Sequence, residues 1–491
     1  MFEPTWESVS THRLPEWYDD GKLGIFLHWG LYSVPRWAPR VANIQELLRE
    51  QGPKQMFRSN PYAEWYLNTM QIDGSPTQQH HRRTYGEGFP YDGFVPAFNE
   101  ESRTADLDAL ATLCKRSGAR YVVLTTKHHD GFTLWPSAHP HPRKGRYHAE
   151  RDLVGDLAEV VRAQGMRMGL YYSGGYDWPF NDAVLQSPMD AVLAAPAGPA
   201  YREYAVAHVR ELIDRYQPAV LWNDINWPAG GNLAELFAYY YNTVGDGVVN
   251  DRWAEVPVRR DTASVFALKM AGEAAQKLWR FIPESKKELA FPPSKHFDFS
   301  TPEYAQFDEV VAKKWESTRG VGHSFGANKN ERPEDILTTT ELIRSFCDIV
   351  SKNGNLLLGI GPEPDGSISP EQQVPLLGLG DWLGINGEAI FSTRPWQTAE
   401  GTTSEGTAVR FTRREDTVYA LLTETPGVSR FHLRGIDATG IANVRLLGVD
   451  QPLDWSVDER GQLEVELPAS LPVSAVHVLR IDGATGMRAR S

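Results

Sequence analysis

Residues Tyr216 to Pro228 read Tyr-Gln-Pro-Ala-Val-Leu-Trp-Asn-Asp-Ile-Asn-Trp-Pro. The apolar run from Ala219 to Trp222 predicts a short buried strand. It stops on a polar pair, Asn223 and Asp224, flanked by Trp222 and Trp227. A carboxylate at a strand end, between aromatic faces, suits chemistry on a sugar ring. It equally suits a cap for the next turn or helix, a common job for Asp. The rest of the chain has to separate the two.

The same texture recurs outward from this stretch. Leu23 to His28, Tyr121 to Thr126, Met166 to Leu170, Val248-Val249 and Leu356 to Ile360 are apolar runs without alternation, and Gly320 to Phe325 is a weaker seventh. Unalternated runs mark strands buried on both faces. Amphipathic stretches lie between them: Thr104 to Ser117 before Gly118, Leu153 to Gln164 between Asp152 and Gly165, Tyr201 to Tyr216, and Glu334 to Lys352. Asp before such a stretch and Gly after it are helix start and stop signals. Strand alternating with helix predicts parallel βα units. No second strand is evident between His28 and Tyr121, where Tyr62 to Met70 reads as a helix start followed by a His- and Gly-rich loop.

Nearly every predicted strand ends in His, Trp, Tyr, Asn, Asp or Arg. In a closed barrel these ends meet at one face, where barrel active sites lie. The expectation is therefore an α/β, TIM-like (β/α)8 barrel with insertions. No Gly-rich dinucleotide fingerprint or phosphate loop follows a strand, which excludes a nucleotide reading. After Trp396 short strand-like runs recur about every ten residues between Gly, Asp and Pro turns, as in an antiparallel β-sandwich. They are Val409 to Thr412, Val418 to Leu422, Phe431 to Leu433, Val444 to Leu447, Leu463 to Leu467 and Ala475 to Ile481. The break falls near Arg394 to Ser404, giving domains 1–396 and 397–491. The polar end, Gly483 to Ser491, is expected to fray.

The net charge of −13 argues against nucleic acid or an anionic membrane as partner. The chain's 15 Trp tilt toward sugar stacking, although Trp also fills cores. Two Cys, Cys114 and Cys347, exclude a disulfide framework and permit a reducing compartment. The N-terminus lacks a basic region followed by an apolar run, and no apolar stretch has the roughly 18 residues of a membrane span. A cytoplasmic location is expected, and homo-oligomerisation is left open.

His128-His129-Asp130 follows one strand and His28-Trp29 another. Adjacent His side chains diverge, so no bidentate metal site is expected, and no HExxH or CxxC is present. Paired His at a strand end can hydrogen-bond sugar hydroxyls or simply anchor a loop. His80, His81, His139, His141 and His148 lie in polar loops and read as surface or lid residues. Glycoside hydrolysis normally needs two carboxylates. Asp224 is one candidate. For the other, Glu64, Glu303 and Glu316 each neighbour an aromatic that would desolvate them. Sequence spacing does not choose among them.

Together the residues resemble a known family. His28-Trp29-Gly30, Glu64-Trp65-Tyr66, Lys127-His128-His129-Asp130-Gly131-Phe132, Leu221-Trp222-Asn223-Asp224, Val249-Asn250-Asp251-Arg252-Trp253, Thr301-Pro302-Glu303-Tyr304, Trp315-Glu316 and Asn353-Gly354-Asn355-Leu356-Leu357-Leu358 occur in the order found in α-L-fucosidases of glycoside hydrolase family 29. The resemblance implies retaining hydrolysis of terminal α-L-fucose from fucosylated glycans or glycosides, without metal or organic cofactor. It implies Asp224 as nucleophile, and His28, His128, His129, Glu64, Trp65, Trp222, Arg252 and Tyr171 (or its neighbour Tyr172) as sugar contacts. Phe325 matches an aromatic that packs on the fucose methyl. Glu303 is the implied acid/base, with Glu316 as the alternative. Three places depart from the family pattern: Asn-Asp-Ile replaces Phe-Asp-Gly around Asp224, Gly359 stands where Asn is usual, and 254–296 is an apparent insertion. Two further readings stay open, a catalytically silent fucose-binding protein and the same fold acting on a related sugar such as galactose.

Overall fold

The computed structural model describes residues 1–257, 260–283, 287, 292–305, 307–436, 438, 440–459 and 461–484. The expected fraying from Gly483 falls largely on 485–491, outside the described residues, as do parts of the 254–296 insertion.

The apolar runs form a parallel sheet. Its strands are β1 (Leu23–Leu27), β2 (Tyr121–Lys127), β3 (Arg167–Ser173), β4 (Val220–Asp224), β5 (Val248–Val249), β6 (Trp315–Gly320) and β7 (Gly354–Ile360). Their order is β5-β4-β3-β2-β1-β7-β6. The gap between β5 and β6 is closed by Phe299 and Ser300, which make parallel bridges to Asn250 and Trp315. Asp298 N donates to Val249 O, and Glu316 N donates to Ser300 O. Two bridges thus stand in for an eighth strand, and the sheet curls into the expected barrel. Inside it, alternate residues such as Tyr121, Val123, Tyr171, Val220, Trp222 and Phe299 pack into one cluster, as inward positions of barrel strands must.

Two expectations are corrected. Beyond Gly320 the weak seventh run to Phe325 is loop, and the strand is Trp315–Gly320, which leads into it. That strand reads Trp-Glu-Ser-Thr-Arg-Gly, so a search for apolar runs passes over it, yet nearly all of it is buried. No strand is missing between β1 and β2, because Gly24 pairs directly with Tyr121. The intervening chain is a helical excursion that includes Ile44–Arg58, Tyr66–Gln71 and Pro76–Tyr85.

The outer helices follow their caps. Leu107–Arg116 starts where the Asp106 carboxylate accepts from Ala109 N, and Leu153–Ala163 where Asp152 accepts from Gly155 N. Thr339–Ser351 begins with a reciprocal Thr338–Glu341 capping box, so it starts later than Glu334. Both cysteines are free and buried. Among the described residues no helix is long and apolar enough to cross a membrane.

The C-terminal strands are β8 (Arg394–Thr402), β9 (Ala408–Arg414), β10 (Thr417–Leu422), β11 (Arg430–Leu433), β12 (Asn443–Leu446), β13 (Asp454–Val457), β14 (Leu463–Glu466) and β15 (His477–Asp482). They form two antiparallel sheets, β12-β15-β10-β9-β8 and β11-β14-β13, around a common core. The two strands without an apolar run, β8 and β13, are edge strands. The other face of the larger sheet rests on the barrel: Tyr419, Leu421, Val476 and Val478 join the barrel's outer core, and Trp382 Nε1 donates to Val476 O.

Candidate active site

Asp224 is the last residue of β4, in register with Ser173 of β3. Its carboxylate is gripped from two sides. Tyr171 Oη donates to Oδ2 at 2.9 Å, and Arg252 Nη1 donates to Oδ1 at 2.9 Å. Strand alternation explains why Tyr171 makes this contact. It points inward and stacks on Trp222. Tyr172 points outward to His208 at 3.3 Å, which removes it from the site. Burial alone would raise the Asp224 carboxyl. Arg252, His129 and the hydrogen bonds from Arg252 and Tyr171 outweigh it and hold the group below its ordinary value.

Arg252 also reaches Glu303, with Nη2 2.9 Å from Oε1. Its Nε and Nη2 donate to Thr301 Oγ1 and Thr301 O, which fixes the guanidinium plane. Burial lowers its pKa less than Glu303 and Asp224 raise it, so Arg252 stays a cation. The two carboxylates therefore sit on the two terminal nitrogens of one buried guanidinium. Tyr62 Oη donates to Glu303 Oε2 at 3.4 Å. The chain turns sharply after Glu303, with Tyr304 at φ +52°.

Both carboxylates line a cavity of about 150 Å³, room for one sugar ring. Its floor is made of strand ends: His28 after β1, His128 and His129 after β2, Tyr171, Trp222, Asp224, and Arg252 after β5. Burial drives His28 down to about 3 and His129 to about 4, and lowers His128 well below its ordinary value, so all three are neutral near pH 7. His28 Nδ1 and His128 Nδ1 are buried without a partner among the described residues. Ser173 Oγ donates to Tyr176 O, so the 2.7 Å bond between Ser173 Oγ and His129 Nδ1 needs the proton on the ring. That leaves His129 Nε2, 3.8 Å from Asp224 Oδ2, as an acceptor for a hydroxyl.

Glu64 and Trp65 also line the cavity. Glu64 accepts from Gly326 N at 2.9 Å and from Ser324 Oγ at 3.3 Å, and burial pushes its carboxyl up to about 7. Trp65 packs edge-on to His129 and Trp178. Phe325 supplies an apolar wall beside His28 and Tyr62.

Glu316, the alternative acid/base, is elsewhere. It is wholly buried in the barrel below Trp222 and accepts from Tyr18 Oη, Tyr121 Oη and Trp222 Nε1 at 2.7, 2.5 and 3.1 Å. Burial raises it to about 7, but it does not line the cavity. Two of the supposed loop histidines are also buried. His81 is held between Tyr66 Oη and Phe89 O, and His141 pairs with Asp177, which neutralises the buried Lys127. His80 and His81 lie on helix Pro76–Tyr85 and not in a loop, and only His141 reaches its partner from a loop that folds inward.

Sequence reasoning missed Phe26, Tyr62, Tyr176 and Thr318, which line the same cavity. Tyr176 had a signal in the preceding Gly174-Gly175 pair. A Cβ at Gly175 would lie 1.5 Å from Ile225 O, so the strand-end loops touch there. Tyr62 had none, being 241 residues from its partner Glu303.

The departures have physical readings. Ile225 takes φ +56° and Asn226 φ +70°, so a β-branched residue occupies a left-handed position that glycine adopts freely. At Gly359 a Cβ would lie 2.4 Å from the Phe325 ring, so glycine there gives Phe325 its seat. The insertion forms a helix, Thr262–Leu278, followed by the turn Trp279–Phe281, whose Trp279 Nε1 donates to Leu48 O. One group, His12, His296 and Asp298, brings metal-ligating atoms within 4.8 Å of one another. Its members are tied up by one another, by Tyr241 and by Val249 N, outside the cavity.

A (β/α)8 barrel with two carboxylates facing a monosaccharide-sized cavity at its strand ends defines a glycoside hydrolase. Comparison with known proteins narrows the class. A family profile described as Alpha-L-fucosidase matches residues 1–388, and one described as Alpha-L-fucosidase C-terminal domain matches 403–482. The chain belongs to the α-L-fucosidase family. It is 31% identical over 490 residues to human tissue alpha-L-fucosidase, covering 97% of this chain and 89% of that one. The Dictyostelium discoideum alpha-L-fucosidase is 32% identical over 442 residues, covering 87% and 81%. The solved alpha-fucosidase of Thermotoga maritima in complex with fucose superposes with a TM-score of 0.81 at 38% identity, covering 98% and 100%.

Proposed function

We propose that this chain releases terminal α-L-fucose with retention, through a fucosyl-enzyme formed on Asp224. Asp224 Oδ attacks the anomeric carbon as the bond to the leaving oxygen breaks, and Glu303 gives that oxygen its proton. Glu303 then takes a proton from water, whose oxygen attacks the same carbon and frees Asp224. The observation that carries the reading is the placing of Asp224 and Glu303 on one guanidinium at the wall of a one-sugar cavity. Thermotoga maritima relatives have been solved with fucose and with a mechanism-based inhibitor, in line with a covalent step. Neutral His28, His128 and His129 hold the hydroxyls, and Phe325 receives the methyl. Turnover of an aryl α-L-fucoside beside the matching galactoside tests it, in wild type and in Asp224→Gly. Fucoside turnover lost in the variant supports the reading. Near-normal turnover in the variant contradicts it, no wild-type turnover points to a silent sugar binder, and preference for the galactoside to another sugar.

A further inference from the structure

The cavity has two chemically different halves. The floor carries the polar groups at the strand ends, whereas the rim, Asn60 apart, is apolar and built from the excursions above them. Ile44, Met56 and Phe57 come from helix Ile44–Arg58, Ala191 from helix Pro188–Ala194, and Ile225 from the loop after Asp224. These side chains belong to, or pack on, a hydrophobic cluster separate from the barrel core. The same cluster contains Tyr62, whose hydroxyl binds Glu303, and is packed against by Tyr304, the residue after it. Through Tyr62 the apolar rim reaches the proton donor, where the leaving group departs.

The insertion helix props up this rim. Gly272 lies so close to Met189 that a Cβ would come within 2.4 Å of its Cγ, and Gln276 and Trp279 crowd Gly52. Both wall helices are thus braced from outside by one element.

Resting on the fucosidase reading above, we infer that the leaving-group subsite takes an apolar aglycone, an alkyl or aryl group, in preference to a second bare sugar. Ile44, Met56, Phe57 and Ile225 cover that group as it leaves. A sugar there would find one polar side chain, Asn60, and lay its other hydroxyls against side chains that cannot hydrogen-bond them, which costs binding.

The test is a homologous series of ethyl, butyl, hexyl and octyl α-L-fucosides, whose leaving alcohols differ little in acidity. α-L-Fucosyl fluoride, which carries no aglycone, is the control. The expected result is kcat/KM rising about two- to fourfold per added methylene until the rim is covered. The double variant Ile44→Ser with Met56→Gln should flatten that rise. The slope is a ratio within one preparation, so it does not depend on the amount of folded enzyme. A flat wild-type series, or an unchanged slope in the variant, overturns the inference while fluoride turnover leaves the fucosidase reading standing. Failure to turn over the fluoride removes both.

Discussion

Arg252 donates to Asp224 Oδ1 from Nη1 at 2.9 Å and reaches Glu303 Oε1 from Nη2 at 2.9 Å. One buried cation thus holds two acids that would otherwise repel each other in a dry cavity. It keeps Asp224 ionised against the pull of burial.

Replacing Arg252 with Met should therefore do more than weaken binding. Asp224 would rise toward the value burial imposes, so it would protonate at higher pH. The acid limb of the kcat/KM profile is expected to move upward in pH, and kcat to fall roughly 10²–10³-fold, as for loss of one preorganised donor. A pH–rate profile of the variant checks both. An unmoved acid limb would remove Arg252 from control of Asp224.

Glu303 and Glu316 should separate by leaving group. Glu303→Gln is expected to lower turnover of poor leaving groups by about 10²–10⁴-fold and that of a highly activated aryl fucoside far less. Glu316→Gln is expected to show no such dependence. A dependence seen with Glu316 and not with Glu303 would reverse the roles.

The cost of Glu316→Gln should fall on stability and vary with pH. The amide NH2 would take the place of one oxygen and face either the two tyrosine hydroxyls or the Trp222 N–H, a loss of about 1–3 kcal/mol. The native carboxyl is raised to about 7, above its ordinary 4.5. Between those values the folded state binds the extra proton, so the carboxyl's stabilising contribution is complete below 4.5 and disappears as pH climbs through 7. The deficit of the variant against wild type should shrink from pH 5 to pH 8, as read by denaturant unfolding at each pH. A deficit that grows with pH would mean Glu316 is ionised in the fold.

The strand-end residues were legible because unalternated apolar runs must be buried, and a polar residue at the end of such a run has few places to go but the barrel mouth. That is how Asp224, His28 and His128 came into view. Glu316 misled because its partners Tyr18, Tyr121 and Trp222 come from three distant segments, and β6 is polar in sequence yet buried in fact. Tyr62 opposite Glu303, and Phe325 seated on Gly359, are likewise contacts between distant segments, to which sequence spacing is blind.

That seat on Gly359 is testable. Gly359→Asn would drive a side chain into the Phe325 ring, and Phe325→Ala would remove the ring. Both should lower the fucoside-to-galactoside ratio of kcat/KM, by about tenfold or more, the discrimination one apolar group in a pocket supports. A ratio equal to wild type in both variants would place the methyl elsewhere.

In the proposed mechanism Asp224 forms the covalent bond. Incubation with a 2-deoxy-2-fluoro fucosyl fluoride, followed by mass spectrometry of the digested protein, reads it directly. One added fluorofucosyl group is expected, on the peptide holding Trp222-Asn223-Asp224 and on the Asp224 carboxyl. A label on any other residue, or turnover with inversion and no label, would contradict it.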